Sequence, residues 1–117
     1  MLTREAILNA QRLKTDSIDV PEWGGVVNVR QLTALERFAF FDALDELSEG
    51  EDNKRKKDLN ASGLFVCWTV VDEKGERLFQ DSDLDALIAS NAHVVERIAT
   101  HAGKLNGIGS AEESAGN

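Results

Sequence analysis

Two short alternating runs on either side of a Pro/Gly break are what most restrict the fold of this chain. Ile18 and Val20 alternate with Ser17 and Asp19, and Val27 and Val29 alternate with Asn28 and Arg30. Successive side chains of a strand point to opposite faces, so each run reads as a half-buried strand. Between them lies Pro21-Glu22-Trp23-Gly24-Gly25. Proline has no amide for a sheet ladder, and glycine enters the left-handed conformations that tight turns need. The two strands therefore fold back on each other as a β-hairpin with Trp23 at its tip. The remaining periodic segments are mostly helical. The fold class is mainly α (α+β), with four or five helices and a small N-terminal β-hairpin.

Thr3 is placed to cap a first helix reaching about Leu13, with Leu2, Ala6, Ala10 and Leu13 on one face. Thr33-Ala34-Leu35-Glu36 is a capping box, in which Thr33 and Glu36 each satisfy an otherwise unpaired amide, and it opens a helix to about Leu47. From Leu59 to Val71 the chain is apolar with a β-branched end, which leaves helix and strand both open over 64–71. Helix is favoured, because the preceding basic run, Leu59 and Ala61 contain no strand break, although Gly63 weakens it. Asp72-Glu73-Lys74-Gly75 reads as a turn and Glu76 to Phe79 as a short extended return. Asp81 or Ser82 caps a short helix carrying Leu84, Leu87 and Ile88. Asn91 caps a last helix with Ala92, Val94, Val95, Ile98, Ala99, Ala102 and Leu105 on one side. Residues 1–108 are expected to form a single globular domain and residues 109–117 a disordered tail, since the tail has nothing to bury.

The net charge is −8 and the sequence pI near 4.7. Duplex binding draws much of its affinity from cations that neutralise phosphates, so nucleic acid is not the expected partner. Anionic membrane surfaces are disfavoured for the same reason. No stretch approaches the roughly 18 apolar residues that a membrane-spanning helix needs. The N-terminus has no apolar leader segment, and one cysteine, Cys67, allows no internal disulfide. These features predict a soluble protein of the cytoplasm. Lys54-Arg55-Lys56-Lys57 is the one basic island; acids flank it and no aromatics interleave it, so it reads as a solvated loop or first helical turn.

No catalytic set assembles. Asp81, Asp83 and Asp85 match the start of a calcium loop, but Ala86 stands where its glycine belongs and Ala92 where its glutamate belongs. They read as helix-capping acids. His93 and His101 are eight residues apart on the polar side of the last helix, too far to share a metal. Cys67 lies among Phe65, Val66 and Trp68 and reads as a small buried hydrophobe. Gly24-Gly25 lacks the rest of a phosphate-binding loop. Catalytic, cofactor-binding and metal residues are therefore none, and no cofactor is expected. The second helix is more informative. Leu35, Phe38, Ala39, Phe40, Phe41, Ala43, Leu44 and Leu47 spread nearly all round its wheel, so it must be covered on more than one side. Either it runs through the centre of the domain, or one aromatic side faces a partner or a second copy. The candidate partner-binding residues are Trp23, Phe38, Phe40, Phe41, Leu44 and Leu47. Aspartate at Phe40 or Phe41 is then expected to weaken binding and leave the fold intact.

In order and spacing, these landmarks resemble the tail assembly chaperones of long-tailed bacteriophages and prophages. The matching pieces are the opening helix, Val20-Pro21-Glu22-Trp23-Gly24-Gly25, and Val29-Arg30-Gln31-Leu32-Thr33 leading into an acidic-aromatic helix. Val71-Asp72-Glu73-Lys74-Gly75-Glu76-Arg77-Leu78-Phe79, the acidic Asp81 to Leu87 segment and Leu105-Asn106-Gly107 continue the likeness. The resemblance implies a mainly helical domain with a small hairpin and no enzymatic activity. It implies binding to the tape measure protein, assistance to tail tube subunits assembling around it, and absence from the finished virion. Tape measure and tail tube proteins are the implied partners, and surplus apolar surface leaves room for a homo-oligomer. The alternatives are a tail completion or connector protein retained in the virion, or an acidic regulatory protein.

Overall fold

In the computed structural model, which describes residues 1–10 and 13–108, the hairpin is built from β1 (Thr15–Val20) and β2 (Gly25–Arg30). They run antiparallel, with Asp16 opposite Val29, Ile18 opposite Val27 and Val20 opposite Gly25. That register puts Ile18, Val20, Val27 and Val29 on one face and leaves Val26 on the other. Pro21–Trp23 forms a single 3-10 turn, closed by the Gly24 amide donating to the Pro21 carbonyl at 3.0 Å. Gly24 takes φ 82°, a left-handed conformation that a side chain would strain. A third strand, β3 (Val70–Val71), adds to the free side of β2, with Val70 opposite Val29. The hairpin expected from the sequence is thus two strands of a three-stranded sheet ordered β1-β2-β3.

Five helices accompany the sheet among the described residues: α1 (Arg4–Asn9), α2 (Ala34–Ser48), α3 (Lys54–Thr69), α4 (Leu84–Ile88) and α5 (Ala92–Leu105). The capping box opens α2 as expected, with both reciprocal bonds made: Thr33 N–H to Glu36 Oε1 at 2.9 Å and Glu36 N–H to Thr33 Oγ1 at 3.1 Å. Asn53 caps α3, so Lys54-Arg55-Lys56-Lys57 forms its exposed first turn. The open segment 64–71 resolves as helix to Thr69 and strand at Val70–Val71. Two β-branched valines favour the extended form, and the unpaired edge of β2 supplies the partner that decides it. The first helix ends at Asn9, well before Leu13, because the chain is already paired at Lys14, whose carbonyl accepts from the Gln31 amide at 2.9 Å. Residues 109–117, expected as a disordered tail, lie outside the described residues.

The central helix is α3. Gly63 to Cys67 are buried in succession, and Thr69 with them. Such a run has no solvent side and must be covered all round. α5 covers it from one direction with Val94, Val95, Ile98 and Ala102; the sheet adds Ile18, Val20, Val29 and Val70. α4 contributes Leu84 and Leu87, and comes so close that a Cβ on Gly63 would lie 2.7 Å from Ile88 Cγ2 and Leu84 Cδ1. α2 reaches this core through one buried residue, Phe40. The central position that the sequence leaves open for the second helix belongs to the third.

Candidate functional site

The side chains of α2 divide cleanly. Phe40 is 3 % exposed, with its ring 5.2 Å from Phe65, 5.8 Å from Trp68 and 5.3 Å from Phe41, all tilted or edge-on. Its helical spacing sets it among the partner-binding candidates, and its burial corrects that: it is the anchor that holds α2 on α3. Leu44 and Ala43 are half-buried beside it. Leu35, Phe38 and Phe41 project the other way, at 77 %, 69 % and 43 % exposure. At 3.6 residues per turn these three, with Asp42, Asp45 and Glu46, fall within about 140° of the helix circumference. The result is an apolar stripe rimmed by carboxylates. Leu47, two turns on from Phe40, is exposed at the last turn of the helix.

Trp23 does not join this surface. It precedes the Gly25 end of β2 whereas α2 follows the Arg30 end, so the length of β2, about 17 Å, separates them. Its neighbour Glu22 instead fastens the hairpin tip to α5, through a two-pronged ion pair with Arg97 at 2.9 and 2.6 Å. Hydrogen bonding from Arg97, helped by the Glu22 backbone amide, lowers the Glu22 carboxyl from its ordinary 4.5 to about 2. A carboxyl with a depressed folded-state pKa favours the fold above its ordinary value, and that contribution fades as pH falls from 4.5 towards 2. Titration of the Glu22 carboxyl carbon by NMR is expected to give a midpoint near 2, returning to the ordinary carboxylate range in Arg97→Ala. A second tie joins His101 Nε2 on α5 to Asp16 Oδ2 at 2.7 Å, and the hydrogen bond holds the Asp16 carboxyl below its usual range.

Leu35 stands inside the capping box, where an apolar residue reads in the sequence as helix-starting detail, and it is the most exposed of the three. Its spacing to Phe38 and Phe41, three residues each, is the signal that marks it. Two of the three calcium-loop acids have structural partners. Asp81 pairs with Arg77 at 2.7 Å, and Asp83 Oδ2 accepts from the Gln80 amide at 2.8 Å to cap the turn before α4. Cys67 is fully buried, and burial pushes its thiol up to about 11, out of reach of a thiolate role. Among the described residues no group of three His, Cys, Asp or Glu is gathered to hold a metal. A shallow hollow beside β2, between Val26, Asn28, Val71, Glu73 and Leu78, has no Ser, Thr, Cys or His in its lining. No described helix is long and apolar enough to cross a membrane.

What this geometry offers is an exposed Leu-Phe-Phe stripe carried on a helix that is anchored from behind. The fold itself is similar to the solved structure of the bacteriophage HK97 tail assembly chaperone. The two align with TM-score 0.62 at 18 % identity, over 80 % of this chain and 85 % of that one. No curated protein matches the chain significantly. The family model for phage tail assembly chaperones matches residues 2–117, and the chain belongs to that family. Family and fold point to a non-enzymatic role with partner proteins in tail assembly.

Proposed function

We propose that the protein binds the tape measure protein in the host cytoplasm, helps tail tube subunits assemble around it, and makes the contact through the outer face of α2. The exposed stripe of Leu35, Phe38 and Phe41 carries the reading. Isolated apolar side chains on a surface need no explanation, but three aligned on one helical face form a continuous patch. A tape measure protein is long, helical and apolar, and an amphipathic helix of such a client lays its apolar side against just this kind of strip. Asp42, Asp45 and Glu46 around the strip keep its rim solvated.

The test is co-purification of the chain with tape measure segments, followed by affinity measurement on the segment retained. Phe38→Asp is expected to weaken binding by roughly tenfold or more, which corresponds to about 1.4 kcal/mol. Its unfolding midpoint should stay within about 0.5 kcal/mol of the parent, since the side chain lies outside the core. Undiminished binding by a folded Phe38→Asp protein would place the client contact on another face.

A further inference from the structure

The sheet comes apart on one side of β2. Towards β1 the ladder is complete, from Thr15 opposite Arg30 to Val20 opposite Gly25. Towards β3 only Asn28 and Val29 are paired. The Gln31 amide donates to the Lys14 carbonyl, which fixes the alternation along β2. Main-chain groups of Val29, Val27 and Gly25 face β1, and those of Asn28 and Val26 face away from it. Asn28 meets Val71 there. Val26 would meet Glu73 if the same register ran on, but the chain turns away first. The Gly75 amide donates to the Asp72 carbonyl at 3.0 Å, and Gly75 takes φ 84°. The Val26 amide and carbonyl are left with no strand opposite them.

The gap between the parting strands is the hollow beside β2, about 650 Å³ in volume. Val26 and Leu78, 62 % and 51 % exposed, form its apolar side. Asp72, Glu73 and Glu76 line it against a single cation, Lys74. Asp72 Oδ1 is engaged by the Lys74 and Glu76 amides at 2.8 and 3.0 Å, whereas Glu73 and Glu76 are exposed. A small-molecule site buries roughly 70–90 % of its ligand, which so shallow a hollow does not do. An added strand needs less: open main-chain groups for pairing and a place for alternate side chains.

We propose that this gap receives an extended, cationic segment of another protein. Its main chain pairs with Val26, one apolar side chain sits between Val26 and Leu78, and a lysine or arginine meets Glu73 and Glu76. A second copy of this chain is a poor occupant, because its exposed strand β1 would bring Asp16 and Asp19 to the same carboxylates. The gap lies at the Gly25 end of β2 and α2 follows the Arg30 end, so the site is separate from the α2 stripe and does not rest on the client reading.

The experiment is an NMR titration of the isotope-labelled chain with a synthetic hexapeptide alternating valine and lysine, beside one alternating valine and glutamate. The lysine peptide is expected to shift the Val26, Asn28 and Glu73 amides, with a Kd of about 1 mM or tighter that weakens in salt. The glutamate peptide should leave them in place. Methylating the central amide nitrogens of the lysine peptide removes its main-chain donors and should abolish the shifts. Glu73→Lys combined with Glu76→Lys should weaken the lysine peptide by roughly tenfold or more and admit the glutamate peptide. Both side chains are exposed, so the double variant should keep the parent's unfolding midpoint. Absence of binding, equal binding of the two peptides, undiminished binding of the methylated peptide, or an unaffected double variant would each overturn the site. Shifts at Val26 that grow with protein concentration alone would give the gap to a second copy and overturn it too.

Discussion

Replacing Phe40 with alanine is expected to lower the unfolding free energy by about 3–5 kcal/mol, the range for removing a buried phenylalanine. The side chain is the one residue of α2 that is fully buried, and its ring meets Phe65 and Trp68 of α3 at 5.2 and 5.8 Å. Truncation removes the hydrophobic transfer energy of the ring and leaves a void between two helices. The void cannot close easily, because the Arg30–Glu36 ion pair at 2.8 Å and the capping box fix the start of α2. Edge-on aromatic pairs add about 0.5–1.5 kcal/mol beyond buried area, which places the effect in the upper part of that range. Urea denaturation followed by Trp fluorescence measures it directly, as Trp68 lies in the affected cluster. Phe38→Ala, two residues away, should stay within about 0.5 kcal/mol of the parent. Comparable losses at both positions would show that the outer face of α2 is not solvent-facing.

That pair of substitutions also marks where sequence reasoning stops. The hairpin was legible because alternation and a Pro/Gly break are local signals, and the start of α2 because a capping box is made within four residues. The side of α2 that meets the core was not. Apolar residues surround its wheel, and the choice between Phe38 and Phe40 is made by Phe65 and Trp68, more than twenty residues away in the chain. The same reason hid the central helix. α3 opens on four cations and has fewer aromatics than α2, yet α5, α4, α2 and the sheet converge on its second half. The boundary at Thr69–Val70 depended on β2 offering an unpaired edge, a fact of register and not of composition. Even the stop signal of α3 is non-local. Its last carbonyls have no helical partners, and Arg77 Nε takes that of Cys67 at 2.9 Å while Arg30 takes that of Trp68 at 3.1 and 2.9 Å. Arg30 and Arg77 look like ordinary surface cations in the sequence.

Asn106→Ala is expected to cost about 2–6 kcal/mol, since the Arg30 carbonyl and the Leu32 amide lose this side chain as partner at about 1–3 kcal/mol each. Asn106 ends α5 and reads in the sequence only as a helix stop before Gly107. In the fold its amide joins three segments. Nδ2 donates to the Arg30 carbonyl at 3.1 Å and to the Ala102 carbonyl at 2.9 Å, while Oδ1 accepts from the Leu32 amide at 2.7 Å. Leu32 lies in the link between β2 and α2, which has no ladder or helix to satisfy its amide. Gln31 adds a parallel tie, donating to the Leu105 carbonyl at 2.9 Å. The C-terminal turn of α5 thus clamps the segment that sets the direction in which α2 leaves the sheet. Asn106→Asp keeps the acceptor for Leu32 but turns the donor towards carbonyl oxygens into a carboxylate, so it should be nearly as damaging at neutral pH and milder in acid. Hydrogen exchange of the Leu32 amide provides the sharper readout: fast in Asn106→Ala, slow in Asn106→Asp. Equal protection in all three proteins would mean that the link is held by its packing, with Leu32 against the core, and that the side-chain clamp is incidental to the placement of α2.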